Sequence, residues 1–451
     1  MTSDLTSAPV RLLVRRLAIP AGTGFFFNTM FNVVDTWYGG RLSTKALAAM
    51  SLSFPVFFII LSIGSGVSSG ATALIGNALG RNEADEAQTY IRQSLSFTLI
   101  HALLLTATGL LLAPGIFGMM GARGEYLTHA LSYMNVIFAG STFFLLNYVM
   151  NAILNAHGNT LAYRNFLISG CLLNLLLDPW FMYGGLGLPP LGLSGIALAT
   201  IVIQCLGNFY LFSQLSKSGA MTIFRMNDLK PSWRYFRELF KQGFPSAMNM
   251  MTVSLGIFII TWYVGRFGEQ CVAAYGIGTR IEQIALLPVM GLNVSTLAMT
   301  AQNFGASRID RIRETLRVSL RYGVLLGVTG TLAALLFSRE LIGLFSTDAT
   351  VNEIGTQFLG IEAFVFPAYV LLYICIAAMQ GIKMPGFGLI IGLYRQIAGP
   401  VLIFHILSVV MGLGLIGIWW GILVVTWSAA LIVVVYVGRT LAKLEKDMKT
   451  V

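Results

Sequence analysis

The fold is decided by residues 19–41, IPAGTGFFFNTMFNVVDTWYGGR, because a related stretch returns at residues 244–266 as FPSAMNMMTVSLGIFIITWYVGR. The matching prolines of the two copies, Pro20 and Pro245, are separated by close to half of the 451-residue chain. In this register, without a gap, 17 of the 76 residue pairs that begin with these prolines are identical. Each copy is long and apolar enough for one membrane-crossing helix, which takes about 20 residues. We therefore predict a duplication whose repeating unit starts with such a helix.

The rest of the chain has the composition of a membrane protein. Hydrophobic residues make up 56% and charged residues 11%, whereas soluble domains have about 25% charged residues. These values exclude a soluble enzyme, a disordered chain and a secreted disulfide scaffold. Apolar runs without the alternating strands of a membrane barrel predict an all-α polytopic membrane protein with twelve transmembrane helices. The runs lie at residues 14–38, 46–76, 93–114, 128–152, 163–184, 191–214, 243–265, 271–303, 318–337, 354–380, 386–410 and 414–438.

Lys and Arg are distributed unevenly between the two sides of this arrangement. The termini and every second loop hold 23 of them, Lys383 and Arg395 included, and the opposite loops hold five. Since positive charge is retained on the cytoplasmic side, both termini are predicted to be cytoplasmic in a multi-pass protein of the cytoplasmic (inner) membrane. This bias accounts for the formal net charge of +10, and no nucleic-acid partner is expected.

The longest charged connection separates two halves of six spans each. Residues 1–214 are predicted to form an N-lobe with helices 1–6, and residues 215–242 a cytoplasmic linker. Residues 243–451 are predicted to form a C-lobe with helices 7–12 and a short cytoplasmic tail. Six spans per half insert both copies in the same sense, and parallel repeats of this kind enclose a central site. This arrangement is typical of transporters.

Two aspartates lie inside spans of the first half, Asp35 in span 1 and Asp178 in span 5. Intramembrane carboxyl groups are costly and mark functional sites. Asn174 lies one helical turn before Asp178 and shares its helix face. The alternatives are that such polar side chains only hold helices together, and that Asp178 caps backbone groups freed next to Pro179. Further polar residues at helical spacing, candidates for lining a cavity, are Asn28, Asn32, Asn147, Asn151, Thr200, Gln204 and Asn208.

The second half carries a different set of polar residues. Ile260 stands at the position that the repeat matches to Asp35. Arg280 is two residues from Glu282 and does not share its helix face, which favours a structural role for Arg280 and leaves the glutamates open. The cavity-lining candidates of this half are Glu282, Glu362, Tyr369 and Tyr373.

Motifs for nucleotide, metal or hydrolytic chemistry are missing from the sequence. There is no GxxxxGK[ST] and no HExxH, so neither a nucleotide site nor a metalloprotease site is indicated. The four histidines share no ligand spacing, and the four cysteines are scattered through apolar runs without a CxxC pair. We expect no cofactor, no metal site and no enzymatic activity.

Three short motifs, taken together with the duplication, resemble those of a known family. They are NVVDT at residues 32–36, NLLLDP at 174–179, and QNFGA at 302–306, with a weaker copy, GNALG, at 76–80. The chain is similar along almost its whole length to the multidrug and toxic compound extrusion (MATE) transporters. The resemblance implies two six-helix lobes and export of organic cations, driven by inward flow of protons or sodium. It also implies a cation- or proton-binding network, which maps here to Asp35, Asn174 and Asp178.

The chain departs from one branch of that family. The NorM type carries acidic residues in helices 7 and 10 of the C-lobe. Here the predicted helix 7 has none, and Ala377 stands four residues after Tyr373, where that type has an aspartate. The chain is closer to the DinF-like pattern, which implies protons rather than sodium as the driving ion.

The predicted function is therefore a proton-coupled antiporter for multidrug efflux, which would confer antibiotic resistance. Its expected partners are amphipathic organic cations such as drugs and dyes, protons or sodium, and membrane lipid, and the protein is expected to be monomeric. The alternatives are a sodium-coupled drug exporter and a lipid-linked oligosaccharide flippase, although a flippase would need more cationic side chains than Arg280 supplies within the spans. An intramembrane enzyme or a channel fits less well, because neither a nucleophile–base set nor a filter loop is present.

Helix 1 contains a candidate hinge at Pro20, with Gly22 and Gly24 just after it. Proline cannot donate a backbone hydrogen bond and crowds the preceding turn, and kinks usually trace to such residues. We predict that helix 1 bends near Pro20 and that protonation of Asp35 selects between its two shapes. The alternative is a static bend, because prolines are common in membrane helices.

Overall fold

The computed structural model of the protein describes residues 5–185, 187–220 and 229–449. Within these ranges the chain is helical and is joined by short turns. Arg225 and the middle of the predicted linker lie outside the described residues. The helices are α1 (Val10–Leu42), α2 (Thr44–Gly80), α3 (Ala84–Met119), α4 (Gly124–Ala139), α5 (Ser141–Ala156), α6 (Leu161–Tyr183), α7 (Leu193–Lys217), α8 (Trp233–Gly265), α9 (Glu269–Gly305), α10 (Ile309–Gly343), α11 (Ala349–Glu362), α12 (Phe366–Gly381), α13 (Gly386–Leu393), α14 (Gly399–Phe404) and α15 (Gly414–Lys449).

Several of these helices combine into membrane spans. The 3₁₀ turn Ala363–Val365 joins α11 to α12, and two π-helical segments, Tyr394–Ala398 and His405–Val410, continue α13 and α14. Counted in this way, eleven segments of the described chain are long and apolar enough to cross a membrane, and α4 with α5 makes a twelfth. The predicted all-α fold with twelve transmembrane helices is confirmed.

The fourth span differs from the single run predicted at 128–152, because it is bent by 47° between α4 and α5. The bend falls at Gly140, where a β-carbon would lie 2.0 Å from the side chain of Ile201. Thr106 donates a hydrogen bond of 2.9 Å to the carbonyl oxygen of Phe138 beside the bend. Gly140 and Ser141 form a Gly/Ser pair, one of the usual causes of a helix kink, and the close contact with Ile201 requires glycine at this position.

The described chain packs into two compact units. Unit 1 is formed by Thr23–Ala247, and unit 2 by Leu5–Gly22 together with the chain from Met248 onwards. The division falls inside α1 and inside α8, so the first part of each of these helices packs with the unit opposite to the rest of it. The predicted lobes, 1–214 and 243–451, have other boundaries and stay a prediction. The predicted cytoplasmic tail is the helical end of α15.

The sequence repeat has a direct structural meaning in the packing of these helix starts. A β-carbon on Gly66 in α2 would lie 2.6 Å from the carbonyl oxygen of Gly243, within unit 1. A β-carbon on Gly291 in α9 would lie 2.2 Å from the carbonyl oxygen of Ala18, within unit 2. The repeat matches Gly66 to Gly291 and Ala18 to Gly243, so the two contacts are equivalent. Both copies therefore use glycine to admit a neighbouring helix backbone.

The repeated Thr-Trp-Tyr and Gly-Arg residues make the same contacts in both units. The guanidinium of Arg41 lies 4.6 Å from the ring of Trp37, and that of Arg266 lies 3.9 Å from the ring of Trp262. These are cation–π pairs on exposed helix ends. The identity of this motif between the copies is therefore explained by packing.

The QNFGA motif at the end of α9 anchors the residues that lead into α1. Gln302 accepts a hydrogen bond from the backbone N–H of Leu5, and Asn303 donates one to the carbonyl oxygen of Leu5. The buried guanidinium of Arg311 donates to the carbonyl oxygen of Ala8 at 2.6 Å and to the side chain of Asn303 at 3.1 Å. This motif therefore has a structural role within unit 2.

Candidate functional site

The predicted residues of the first half meet inside unit 1. Asn174 on α6 donates one hydrogen bond of 2.9 Å to Oδ1 of Asp35 on α1 and another of 2.8 Å to Oδ1 of Asp178. The contact with Asp178 follows from the four-residue spacing on one helix face. The two carboxyl groups also lie within hydrogen-bonding range of each other. One amide thus holds two acids side by side.

The carboxyl pair is buried and lacks compensating positive charge. Asp178 and Asn174 are fully buried, and Asp35 is 6% exposed. Thr200 on α7 shares its hydroxyl between Ile196 and Asp35 Oδ2, the latter at 3.4 Å. In the described chain neither carboxyl forms an ion pair with a lysine, arginine or histidine. Because two ionised carboxylates in contact repel each other in a poorly solvated site, the geometry fits one shared proton or a bound cation.

Two buried acceptor atoms of this network have no hydrogen-bond partner in the described structure, Oδ2 of Asp178 and Oδ1 of Asn174. Tyr133 on α4 is buried and lies within electrostatic range of both aspartates. Tyr133 was not among the residues predicted from the sequence, because a single tyrosine in an apolar run does not stand out. The unused acceptors leave capacity for a further donor or ion at this position.

The alternative of a capping role for Asp178 is not supported by the contacts next to Pro179. Proline has no N–H for the carbonyl oxygen of Leu175, one helical turn earlier. Tyr38 on α1 supplies the missing hydrogen bond at 3.1 Å. In unit 2 the repeat-matched Tyr263 likewise donates to a backbone carbonyl, that of Val401, at 3.3 Å. Tyr38 and Tyr263 thus supply hydrogen bonds to these backbone carbonyl groups. Asp178 is not needed for capping, and its side chain belongs to the carboxyl pair.

Three of the predicted cavity-lining residues are instead engaged in contacts between helices. Asn147 on α5 donates to the side-chain and backbone oxygens of Gln204 on α7, at 2.7 and 3.0 Å. Asn208 donates to the carbonyl oxygen of Phe143 on α5 at 2.9 Å. These contacts join α5 to α7, which favours the helix-packing alternative for this group.

The other candidates of the first half lie nearer the surface of unit 1. Asn28 and Asn32 are exposed on α1, and Asn32 donates to the carbonyl oxygen of Asn28 at 2.8 Å. Asn151 on α5 is half-buried. That these residues line a substrate cavity stays a prediction.

The candidates of the second half form a separate cluster inside unit 2. Glu362 at the end of α11 is in hydrogen-bonding range of Glu282 on α9, which is in range of Tyr369 on α12. Tyr369 stacks on Tyr373, with ring centroids 6.0 Å apart. The guanidinium of Arg395 lies 5.1 Å from the centre of the Tyr369 ring. The structure therefore brings all four predicted residues together and adds an arginine.

The placement of Arg395 with the cytoplasmic loops was wrong. Arg395 lies in the π-helical segment Tyr394–Ala398, well inside the span Gly386–Val410. The predicted apolar run 386–410 includes Arg395, so the sequence did contain a sign that this residue lies inside the membrane. Without Arg395 the count of Lys and Arg is 22 against five, so the predicted orientation does not change. Arg280, by contrast, is exposed on α9.

The described residues hold no group of three or more His, Cys, Asp or Glu side chains arranged to bind a metal ion.

The duplicated helical fold and the buried carboxyl pair together define the class of the protein as a membrane transporter built from two repeats.

The MatE family model matches residues 20–180 and again residues 245–405. The two matches begin at Pro20 and Pro245, the first matching pair of the sequence repeat. They cover more than half of the chain, and the protein belongs to the MatE family, whose members are transporters and not enzymes. The resemblance to MATE transporters is confirmed, while the DinF-like subtype stays a prediction.

Curated relatives are similar along most of their length. A FAD transporter of Shewanella oneidensis is 28% identical over 403 residues, which is 87% of each chain. A probable multidrug resistance protein of Bacillus subtilis, YoeA, is 25% identical over 386 residues, or 85% of this chain and 83% of that protein. The multidrug export protein MepA of Staphylococcus aureus is 23% identical over 449 residues, or 96% of this chain and 95% of that protein.

Solved structures share the fold. A MOP superfamily transporter from Pyrococcus furiosus superimposes with a TM-score of 0.92 at 24% identity over 99% of both chains. A multidrug resistance MATE family transporter in an outward-facing conformation gives a TM-score of 0.91 at 24% identity, over 99% of this chain and 100% of that one. At this identity the likeness establishes the architecture alone.

Proposed function

We propose that the protein is a proton-coupled antiporter that exports amphipathic organic cations across the cytoplasmic membrane by alternating access, as a monomer with both termini in the cytoplasm. The observation that supports this proposal is the pair Asp35 and Asp178, which is joined by Asn174 and lacks a protein cation. Such a pair accepts one positive charge at a time. A proton from outside competes with the exported cation, and its release inside restores the anionic site.

The direct test is transport of ethidium or norfloxacin in everted membrane vesicles with an imposed pH gradient. Flavin adenine dinucleotide belongs in the substrate panel, because the Shewanella relative is described as a FAD transporter. Cation transport that follows the pH gradient supports the proposal. Transport of the dinucleotide without transport of the cations would replace the proposed substrate class.

Sodium and proton coupling are separated by changing one gradient at a time. Compared with the NorM pattern, α8 carries no acidic residue after Glu238, and Ala377 stands where helix 10 of that type has an aspartate. We therefore expect no efflux from a sodium gradient alone at equal pH on both sides, and efflux from a pH gradient in sodium-free buffer. Sodium-driven export at equal pH would contradict the proton assignment.

Asp178→Asn is expected to change the shape of the pH profile of transport. Two interacting acids titrate in two macroscopic steps that belong to the pair. With asparagine at position 178 one acid remains, so a single, less steep step should replace the coupled profile. The measurement is initial efflux rate against pH for both proteins at matched membrane amount. An unchanged profile would show that Asp178 is structural.

Pro20→Ala is expected to impair coupled efflux while leaving substrate binding, measured by equilibrium dialysis, largely intact. Pro20 is buried in α1, and α1 passes from unit 2 to unit 1 after Gly22, two residues later. A site that lowers helix rigidity there would let protonation of Asp35 change the shape of α1.

Pro245→Ala is the matched control, because the repeat places Ile260 where Asp35 stands in the first copy. It should do less harm. The hinge hypothesis would be contradicted if the Pro20→Ala protein transported at the wild-type rate across the pH range. It would also be contradicted if Pro245→Ala reduced transport more than Pro20→Ala.

A further inference from the structure

We propose that Glu362 and Glu282 form a second proton-binding site, in unit 2, separate from the pair in unit 1. Glu362 is 1% exposed, and neither of its carboxyl oxygens accepts a hydrogen bond from any donor in the described structure. The group within hydrogen-bonding range of it is another carboxyl, that of Glu282. Two carboxyl groups attract each other only when one of them carries a proton.

The charges around Glu362 leave one negative charge to be balanced. Arg395 acts electrostatically on both glutamates, and its guanidinium lies over the ring of Tyr369. Two ionised glutamates and one arginine have a formal net charge of −1. Glu362 is the buried member of the cluster, whereas Glu282 and Arg395 are half-buried. Because an uncompensated charge at the buried carboxyl is strongly unfavourable, one proton on Glu362 makes the cluster neutral. The arginine therefore allows one glutamate to stay ionised while the other binds and releases the proton.

Among the described residues, the elements packed against Glu362 add no charge besides Glu282 and Arg395. The α9 helix presents Glu282 and the buried Tyr275, and α12 presents Tyr369. On the remaining sides, Thr331 of α10 donates to the carbonyl oxygen of Ala363 at 2.6 Å, and Trp427 of α15 donates to that of Phe364 at 2.9 Å. These uncharged side chains hold the turn that follows Glu362.

Two residues of this cluster lie at helix irregularities. Glu362 is the last residue of α11, directly before the 3₁₀ turn Ala363–Val365, and Arg395 lies in the π-helical segment Tyr394–Ala398. Short 3₁₀ and π segments inside longer helices frequently mark hinges and functional sites. Glu362 and Arg395 thus both stand at positions where the regular helix is interrupted.

The proposed site in unit 2 would have the same function as the Asp35–Asp178 pair in unit 1, but the two sites do not occupy repeat-matched positions. The repeat matches Glu282 to Phe57 and Glu362 to Ile137 in the first half, and both of those residues are apolar. The two carboxyl pairs are therefore independent features of the two units, and each should bind one proton.

The test is pH-difference infrared spectroscopy of the purified full-length protein, which counts the carboxyl groups that gain a proton between alkaline and acidic buffer. We expect a protonated-carboxyl signal from each unit in the wild type. Glu362→Gln should lose one signal, because Arg395 keeps the remaining Glu282 ionised. Asp35→Asn combined with Asp178→Asn should lose the other signal, and the triple variant should lose both. Glu353→Gln is the matched control, because Glu353 is exposed on the same helix α11 and should leave the wild-type spectrum unchanged.

A Glu362→Gln spectrum identical to that of the wild type would overturn the proposal, as would a unit 2 signal that sodium ions replace at constant pH. If Glu362→Gln does not fold, Glu362→Asp keeps the carboxyl group and should shift its signal, whereas an unshifted signal would equally overturn the proposal. The measurement uses no substrate, so it succeeds or fails independently of the efflux assay.

Discussion

Asp35→Asn is expected to abolish drug efflux and to leave a normal amount of protein in the membrane. Asparagine has the size of aspartate and can accept the hydrogen bond that Asn174 donates at 2.9 Å. It cannot exchange a proton or carry the negative charge that would attract an organic cation. The measurement is ethidium transport in everted vesicles driven by a pH gradient, together with drug resistance of the producing cells. Transport should fall to the level of vesicles without the protein.

The matched control for this substitution is Asp85→Asn. Asp85 is exposed at the start of α3 in the same unit and is away from the carboxyl pair. It should transport at the wild-type rate. Wild-type efflux from a correctly inserted Asp35→Asn protein would mean that the coupling group lies elsewhere.

Gly291→Ala is expected to destabilise unit 2 and to lower the amount of folded protein. A β-carbon at this position would lie 2.2 Å from the carbonyl oxygen of Ala18 and 2.7 Å from the backbone nitrogen of Gly22. Backbone atoms cannot rotate away as the end of a side chain can, so α9 and the start of α1 must separate. Overpacking of this kind costs about 1–3 kcal/mol. The readout is the thermal unfolding midpoint of the purified protein, which should fall.

The control on the same helix is Gly276→Ala, because nothing lies within 4 Å of a β-carbon at Gly276. Alanine is a better helix former than glycine by about 1 kcal/mol, so this variant should be at least as stable as the wild type. Gly66→Ala should repeat the damage in unit 1, where its β-carbon would lie 2.6 Å from the carbonyl oxygen of Gly243. A Gly291→Ala protein with an unchanged midpoint would contradict the close-packing explanation.

The class of fold and the duplication can be derived from the amino-acid sequence without any coordinates. A run of about 20 apolar residues can satisfy its backbone only as a helix in lipid, so the twelve spans follow from composition and length. The duplication follows from identities such as Pro20 with Pro245, and the two family matches begin at the same residues. Asp35 and Asp178 also stand out, because a carboxyl group within an apolar run is rare enough to be noticed alone.

The packing of the helices determines which polar residues share a site and which only hold helices together. Asn147 and Asn174 look alike in the sequence, since both are amides in apolar spans. Asn147 donates its amide hydrogens to Gln204, whereas Asn174 joins two carboxyl groups. Helical spacing tells which residues share a face of one helix, but the partner across the interface depends on the packing of helices that are distant in the chain.

Two further features, the bend at Gly140 and the intramembrane position of Arg395, could not be derived from the sequence and became clear only from the tertiary structure. A glycine or an arginine in a sequence fits several local structures. Gly140 lies at the break, where a β-carbon would be 2.0 Å from the side chain of Ile201, a residue of another helix. Arg395 lies inside a span with its guanidinium 5.1 Å from the ring of Tyr369, a residue of another helix that provides a cation–π partner for its charge. Apolar length is a property of one segment, whereas the cost of a buried charge is set by its neighbours, and only the folded chain supplies these.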